Sequence, residues 1–338
     1  MVGFDLMSRL QLSQWVCLAL ITPARRSQPN CARMRVWLAA RMPIMMSPGR
    51  RYTSARGGEM GDRVVPHLYS GSVPALYDRY RGPIFFQPYA ENLAKRVAYL
   101  TDGSLLETAA GTGILTRAII RLLPERVTIT ATDISSDMIE YAAAQTANGR
   151  VTWRLADAAA LPFPAATFDV VACQFGVMFF PDKVAGYREA YRVLKPEGRF
   201  VFTVWDRIER NEFCCLVNDV VTNFFPYDPP QLMVRTPYGY HDPSLIVNEL
   251  RTAGFKVEEV EPVELRSRAP SAQELAIGFC QGSPLRSEIE ARDPARLTEV
   301  TDAAAAALLS RFGPGPIAGA MRAYLITAIK GDGGIAVP

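Results

Sequence analysis

Short apolar segments alternate with amphipathic segments between residues 74 and 205. The apolar segments are rich in β-branched residues and predict strands, whereas the intervening segments repeat their apolar positions every three or four residues and predict helices. Alternating strands and helices are typical of an α/β fold whose mostly parallel sheet is covered on both faces. The predicted strands are 105–108, 127–132, 151–155, 168–173 and 199–204, and the predicted helices are 75–80, 88–100, 114–123, 135–146 and 182–194.

Residues 206–338 follow a less regular pattern. Extended segments are predicted at 255–265 and 323–329, with several helices before and between them. Ser271 and Glu274 have the spacing of a capping box, and Gly313-Pro314 would stop a long preceding helix. The predicted helices are 211–223, 243–253, one that opens at Ser271, and 293–312.

Residues 1–60 differ from the rest of the chain, because they hold nine arginines, seven of the eleven methionines and only two acidic side chains. We predict that they are a disordered extension, or a segment translated upstream of a true start at Met60. An organelle transit peptide and a secretory signal remain alternatives. We expect residues 61–338 to form one domain, with a core at 74–205 and a second part at 206–338.

Composition excludes several classes of function. The chain has a net charge of +3, but residues 61–338 carry 28 basic and 32 acidic side chains, so no general attraction for nucleic acid is expected. Six cysteines without a C-x-x-C spacing and only two histidines favour a reducing, cytoplasmic setting without a zinc site. No apolar run reaches the roughly 18–20 residues that span a bilayer.

Residues 106–113, Leu-Glu-Thr-Ala-Ala-Gly-Thr-Gly, form the most informative segment, since they lead from a strand through a glycine turn into a helix. Glycine lets the backbone approach a ligand closely, and Asp133 ends the next strand, where a carboxylate can accept both hydroxyls of a ribose. Neither glycine frame supplies the third glycine of a dinucleotide site, and the G-x-x-x-x-G-K-[ST] phosphate loop is missing from the sequence. The turn therefore suits a nucleoside without a pyrophosphate.

Four segments together resemble class I S-adenosylmethionine-dependent methyltransferases, and within them the type 11 group that includes ubiquinone/menaquinone C-methylases. The resemblance is strong over residues 74–205 and weak over 206–338. It implies a Rossmann-like sheet of seven strands with the last one antiparallel, an extra helical insertion before that strand, and S-adenosyl-L-methionine as the cofactor. The four segments are Glu107–Gly113, Ala131–Asp133, Leu155–Ala158 and Val193–Arg199.

The resemblance also implies roles for individual residues. Gly111 and Gly113 would line the methionine part of the cofactor, and Glu107 would order the turn or meet the ammonium group through water. Related enzymes usually have glycine at the position of Ala109, whose methyl group narrows the turn.

At the nucleoside end, the resemblance implies that Asp133 holds the ribose hydroxyls while Ile134 and Met138 pack on the adenine. Asp157 would accept from the adenine amino group, and the Ala158 N–H would point at a ring nitrogen.

Gln174 and Phe175 would face both the amino acid end of the cofactor and the acceptor. The other acceptor-side candidates are Tyr77, Tyr80 and Met178. His241 is the one histidine considered as a catalytic base, although a surface or capping role suits it as well.

Gln174-Phe175-Gly176 stands where an Asn-Pro-Pro-Tyr segment would indicate methylation of an adenine or glutamine amino group, so that chemistry is disfavoured. We expect methyl transfer to a small-molecule acceptor that is apolar or aromatic. The aromatic segment 224–227 would suit such an acceptor. Two alternatives remain: a catalytically silent S-adenosylmethionine-binding regulatory or partner protein, and a dehydrogenase. The sequence does not indicate an oligomeric state.

Overall fold

Seven strands form one sheet in a computed structural model that describes residues 69–146 and 149–331. The predicted extension at 1–60 lies outside these residues. The strands are β1 (Gly103–Glu107), β2 (Val127–Asp133), β3 (Val151–Leu155), β4 (Phe168–Gln174), β5 (Leu194–Trp205), β6 (Phe255–Ala269) and β7 (Ile317–Lys330).

The strand order is β3-β2-β1-β4-β5-β7-β6. Strands β1 to β5 pair in parallel, whereas β7 lies antiparallel between β5 and β6. The central strands are buried on both faces, as expected for a parallel sheet between layers of helices. The predicted α/β class and the antiparallel last strand are thus confirmed.

Eleven α-helices occur within the described residues, and several begin at the capping residues that the sequence indicates. The Ser271 hydroxyl accepts from the Glu274 N–H, as the capping-box spacing predicts, and Ser135 and Asp182 cap their helices in the same way. The helices are α1 (Val73–Leu76), α2 (Gln87–Arg96), α3 (Ile114–Leu122), α4 (Ser136–Gln145), α5 (Lys183–Val193), α6 (Glu212–Phe224), α7 (Leu232–Arg235), α8 (Pro243–Thr252), α9 (Ala272–Cys280), α10 (Leu285–Arg292) and α11 (Leu297–Phe312).

The N-terminal helices differ from the prediction. Helices at 75–80 and 88–100 were expected, but α1 runs into a π-helix at Tyr77–Phe86 and then into α2, which ends at Arg96. The π-helix has a wider turn than an α-helix, so the apolar repeat that was used to place the first helix does not describe it.

Two differences concern the C-terminal part. The helix expected over 293–312 is interrupted, because the Asp293 side chain caps a short 3₁₀ turn at Pro294–Arg296 before α11 begins. Strand β7 begins at Ile317 rather than at residue 323, since its first residues pair with the end of β6. Helices α9, α10 and α11 lie between β6 and β7, which confirms the predicted insertion before the last strand.

Candidate cofactor and acceptor site

A cavity of about 270 Å³ lies at the carboxyl ends of β1, β2, β3 and β4. The strand order reverses between β1 and β4, and ligands of open α/β sheets bind in the crevice at such a point. Residues from the sheet, the π-helix, the segment 232–238 and the insertion all contribute to the wall.

Asp133 ends β2 and is buried at the edge of this cavity. Its carboxylate accepts from the Gly111 N–H at 2.8 Å and from the Ser135 N–H at 2.9 Å. Burial raises the pKa of Asp133, and the backbone N–H groups of Ser135, Gly111 and Ile134 oppose that rise. The aspartate and the glycine turn therefore form one hydrogen-bonded unit, as their positions in the sequence suggest.

The turn after β1 has a left-handed backbone at three positions. The φ angles are 52° at Ala109, 55° at Gly111 and 79° at Gly113, the residue that caps α3. Ala109 and Gly111 line the cavity, whereas Gly113 lies behind them, where an added Cβ would meet the Trp153 ring at 3.1 Å. Gly111 has open space around it, which leaves its backbone accessible to a ligand.

Glu107 lies beneath the turn and is not among the residues that line the cavity. One of its carboxyl oxygens accepts from the Thr116 hydroxyl at 2.6 Å. Burial raises the pKa of Glu107 to about 8, while Thr116 and Arg117 act in the opposite direction. Arg117 in turn donates to the Thr112 carbonyl and pairs with Asp78 at 2.7 Å, which connects the turn to the π-helix.

The expected nucleoside-end residues are together in the cavity wall. Ile134 is partly exposed beside the buried Met138, and Asp157 follows β3 next to Ala158. The Asp157 carboxylate accepts from the Ala159 N–H at 2.8 Å and is otherwise exposed. These four residues and Asp133 surround one end of the cavity.

Phe175 forms an aromatic wall together with Trp205. The two rings stack with centroids 3.9 Å apart, and Phe86 and Tyr89 meet Phe175 edge-on. Phe175 has a φ of 53°, a conformation that residues with a side chain rarely adopt.

Gln174 connects the end of β4 to the N-terminal helices, because its amide donates to the Phe86 carbonyl at 2.7 Å. Met178, another expected acceptor-side residue, lines the cavity, and its sulfur accepts from the Trp205 N–H at 3.4 Å.

Tyr77 lines the cavity as expected, but Tyr80 does not. In the π-helix, positions four and five residues apart share a face, so Arg81 lies on the same side as Tyr77. Tyr77, Arg81 and Phe86 follow this spacing and all line the cavity. Sequence reasoning missed Arg81, and an i, i+4, i+9 spacing of cavity residues is the signal that could have found it.

The other end of the cavity is built largely by residues that the sequence did not single out. The segment 224–227 was expected there, but Arg296 covers the Phe224 and Phe225 rings and Tyr227 is fully exposed. His241 is not among the lining residues either, so its predicted role as a base has no support from the cavity wall. The residues that form this end are Leu232, Met233, Pro237, Tyr238, Phe279 and Leu285.

Within the described residues, no group of three or more His, Cys, Asp or Glu side chains could hold a metal ion. In the same part of the chain, no helix is long and apolar enough to cross a membrane.

Comparisons with known proteins agree with this geometry. The profile of a methyltransferase domain family matches residues 106–202. Nocamycin O-methyltransferase of Saccharothrix syringae is 30% identical over 280 residues, which cover 77% of this chain and 96% of that protein. A ubiquinone/menaquinone biosynthesis C-methyltransferase of Geobacter sulfurreducens is 33% identical over 159 residues, or 45% of this chain and 61% of that enzyme's length.

Solved structures share the fold at low sequence identity. The cyclase SpnF superposes with a TM-score of 0.53 at 20% identity, covering 80% of this chain and 96% of that one. Phosphoethanolamine N-methyltransferase 2 of Haemonchus contortus, in complex with S-adenosyl-L-methionine, superposes with a TM-score of 0.50 at 16% identity, covering 80% and 59%.

The fold and the near full-length similarity define the class of this protein: it belongs to the class I S-adenosylmethionine-dependent methyltransferases. Within that class it falls in the type 11 group, and its sequence is similar to those of the ubiquinone/menaquinone C-methyltransferases. S-adenosyl-L-methionine is accordingly its cofactor, and the glycine turn with Asp133 fits the nucleoside of such a group.

Proposed function

We propose that this protein transfers the methyl group of S-adenosyl-L-methionine to a small-molecule acceptor. The observation that carries the proposal is the joint placement of Gly111, Asp133 and Asp157 in the wall of one cavity that continues to Phe279 and Tyr238. This one cavity is therefore lined both by the candidate nucleoside residues and by an apolar, aromatic wall. The relatives named for ubiquinone/menaquinone and nocamycin support a small acceptor.

In the proposed site, Asp133 accepts hydrogen bonds from the ribose hydroxyls and keeps its carboxylate in place through the N–H groups of Gly111 and Ser135. Ile134 and Met138 pack against the adenine, while Asp157 and the Ala158 N–H recognise its polar edge. Ala109, Gly111 and Gln174 face the amino acid end. Glu107 acts from below by holding the turn.

The chemistry at the acceptor end depends on alignment more than on a base. The cofactor supplies an already activated methyl group, so orientation can account for roughly 7–11 kcal/mol of the barrier. Burial raises the pKa of Tyr69, Tyr77 and Tyr238, which are therefore neutral hydroxyls at physiological pH and poor bases. The acceptor then reacts through a group that is nucleophilic when it is bound.

Aromatic and apolar side chains support the expected aromatic character of the acceptor. The stacked pair Phe175 and Trp205, with Met233 and Phe279, offers flat apolar surface at this end of the cavity. Methyl transfer to carbon, oxygen, nitrogen or sulfur is compatible with this wall.

The test of the cofactor site is calorimetric titration of S-adenosylhomocysteine into the wild type and the Asp133→Ala variant. We expect a loss of about 1.5–3 kcal/mol in binding free energy, the scale of a hydrogen bond to a charged group. Asp102→Ala, an exposed aspartate at the opposite end of β1, should bind as the wild type does. Equal affinity in Asp133→Ala would remove Asp133 from the site.

Turnover is tested separately by incubating the protein with methyl-labelled S-adenosylmethionine and a small-molecule metabolite extract. Transfer of label supports the enzyme, whereas retention of cofactor without product supports a silent binding protein. The silent binding protein is the second candidate because the same fold occurs in a protein named as a cyclase. The fold alone therefore does not determine that methyl transfer takes place.

A further inference from the structure

Arg81 places a positive charge in the cavity wall. Within the described residues, no hydrogen bond or ion pair engages its guanidinium group, and its Nε atom is buried without a partner. The nearby carboxylate of Asp78 pairs with Arg117, and Asp133 binds backbone N–H groups. Among the described residues, the Arg81 guanidinium therefore faces the cavity without a counter-ion.

Aromatic rings hold the guanidinium in place. Its central carbon lies 5.4 Å from the Tyr77 and Phe86 ring centroids, 5.3 Å from Phe279 and 5.8 Å from Phe85. Ring faces attract a cation and fix its plane, but they leave its N–H donors unsatisfied. A planar guanidinium with free donors is suited to bind a carboxylate or another oxyanion.

Arg81 lies between the two ends of the cavity: its charge acts on Tyr69 and Tyr77, whose pKa values Asp133 also affects, and its other neighbours lie away from the glycine turn. Phe279 belongs to the insertion rather than to the cofactor-binding strands. The Arg81 charge also reaches Tyr238 and Cys214, where burial raises both pKa values and the guanidinium partly opposes the rise. Phe279, Tyr238 and Cys214 all follow β5 in the chain and lie beyond the strands that carry the glycine turn.

We propose that Arg81 binds an oxyanion of the methyl acceptor, so that the acceptor of this protein is an acidic aromatic molecule such as a carboxylic acid, an enol or a phenol. The inference rests on the proposed function and narrows its substrate class. The acceptor is then not purely apolar, because it carries a negative charge beside a flat ring.

The charges balance in such a reaction. When the oxyanion is the nucleophile, its oxygen or conjugated carbon forms the bond to the methyl carbon, the carbon–sulfur bond breaks, and the electron pair stays on sulfur. The negative charge of the acceptor and the positive charge of sulfur are both lost. Arg81 then faces a neutral product, which favours release of that product.

The experiment uses the full chain saturated with S-adenosylhomocysteine and compares two probes, benzoate and its neutral counterpart benzamide, by calorimetric titration. We expect the wild type to prefer benzoate by about tenfold or more, the scale of one charge-assisted contact. Arg81→Met should lose the preference, and Arg81→Lys should keep part of it. Arg79→Met is the matched control, since Arg79 is exposed, stacks on Tyr80 and does not line the cavity.

Equal binding of the two probes by the wild type, or a benzoate preference that survives in Arg81→Met, would overturn the proposal. The amino acid part of the cofactor is a second source of a carboxylate for Arg81. Titration of S-adenosylhomocysteine into the same variants distinguishes this source from the acceptor. An affinity within about threefold of the wild type is expected, whereas a loss of about tenfold or more in Arg81→Met would assign the guanidinium to the amino acid end of the cofactor. Failure of the wild type to bind S-adenosylhomocysteine would instead contradict the proposed function.

Discussion

Ala109 has a left-handed backbone in the turn after β1. For a residue with a side chain, that conformation costs roughly 1–2 kcal/mol. Glycine at this position would remove the cost, but part of the gain would be lost because glycine increases the conformational entropy of the unfolded chain. The Ala109 methyl group also lies against Gly176, where an added Cβ would come within 2.5 Å of it. The two small residues thus fit each other across the entrance of the cofactor turn.

We predict that Ala109→Gly raises the free energy of unfolding by about 0.5–1 kcal/mol in urea titrations. Ala166 has nearly the same φ, 53°, in an exposed turn away from the cavity, so Ala166→Gly should give a similar gain. S-adenosylhomocysteine affinity should change only in the Ala109 variant. A less stable Ala109→Gly would show that the contact with Gly176 outweighs the strain.

Glu107 makes the stability of the protein depend on pH. Its pKa is raised by burial from an ordinary value of 4.5 to about 8, so between these values the folded protein holds a proton that the unfolded chain has released. Stability therefore falls as the pH rises through this interval, by up to about 1.4 kcal/mol per pH unit from this group.

Glu107→Gln should remove that dependence, so that the wild type loses stability relative to the variant between about pH 5 and pH 8. Urea unfolding at several pH values measures the difference, with the exposed Glu125→Gln as the control. Parallel pH profiles for the wild type and Glu107→Gln would contradict the assignment of a raised pKa to Glu107.

At the scale of secondary-structure elements, the correct predictions are those that depend on local sequence patterns. Strand β3 has the predicted bounds, and β1, β2 and β4 lie within two residues of theirs, because β-branched apolar runs bounded by turns are local signals. The candidates at these strand ends, such as Asp133, are brought together because parallel strands end at one edge of the sheet.

The unpredicted elements depend on packing between distant segments. Helix α10 is mostly polar and buries only Leu285 and Ile289, so it has little apolar repeat of its own. The π-helix repeats at a wider spacing than the predicted α-helix, and Arg81 was not among the candidates on it, which were the two tyrosines Tyr77 and Tyr80. Phe279 and Tyr238 reach the cavity only through the insertion and the segment before α8, whose placement no local motif encodes.

At the scale of the whole molecule, strands β6 and β7 carry the helical insertion at one edge of the sheet. Strand β5 pairs with residues 323–329 of β7, whereas residues 317–322 continue beyond it and pair only with β6. This overhang carries the insertion, and α9 packs on the π-helix. The contact is close at Gly278, where an added Cβ would lie 3.1 Å from the Tyr80 Cβ and 3.3 Å from the Arg81 Cγ.

Gly278→Val should therefore push α9 away from the π-helix and disturb the proposed acceptor end, while the strand-end residues proposed to hold the nucleoside stay in place. Overpacking of this kind costs typically 1–3 kcal/mol, which urea unfolding would detect. The affinity for S-adenosylhomocysteine should remain within about threefold of the wild type, whereas the benzoate preference attributed to Arg81 should weaken. Gln273→Val introduces the same side chain on the exposed face of α9, where Gln273 makes only a 3.5 Å hydrogen bond to Asp302, and should change neither the affinity for S-adenosylhomocysteine nor the benzoate preference. If Gly278→Val abolished cofactor binding, the two ends of the cavity would be one cooperative unit, and the acceptor end would not be a separable addition to the cofactor fold.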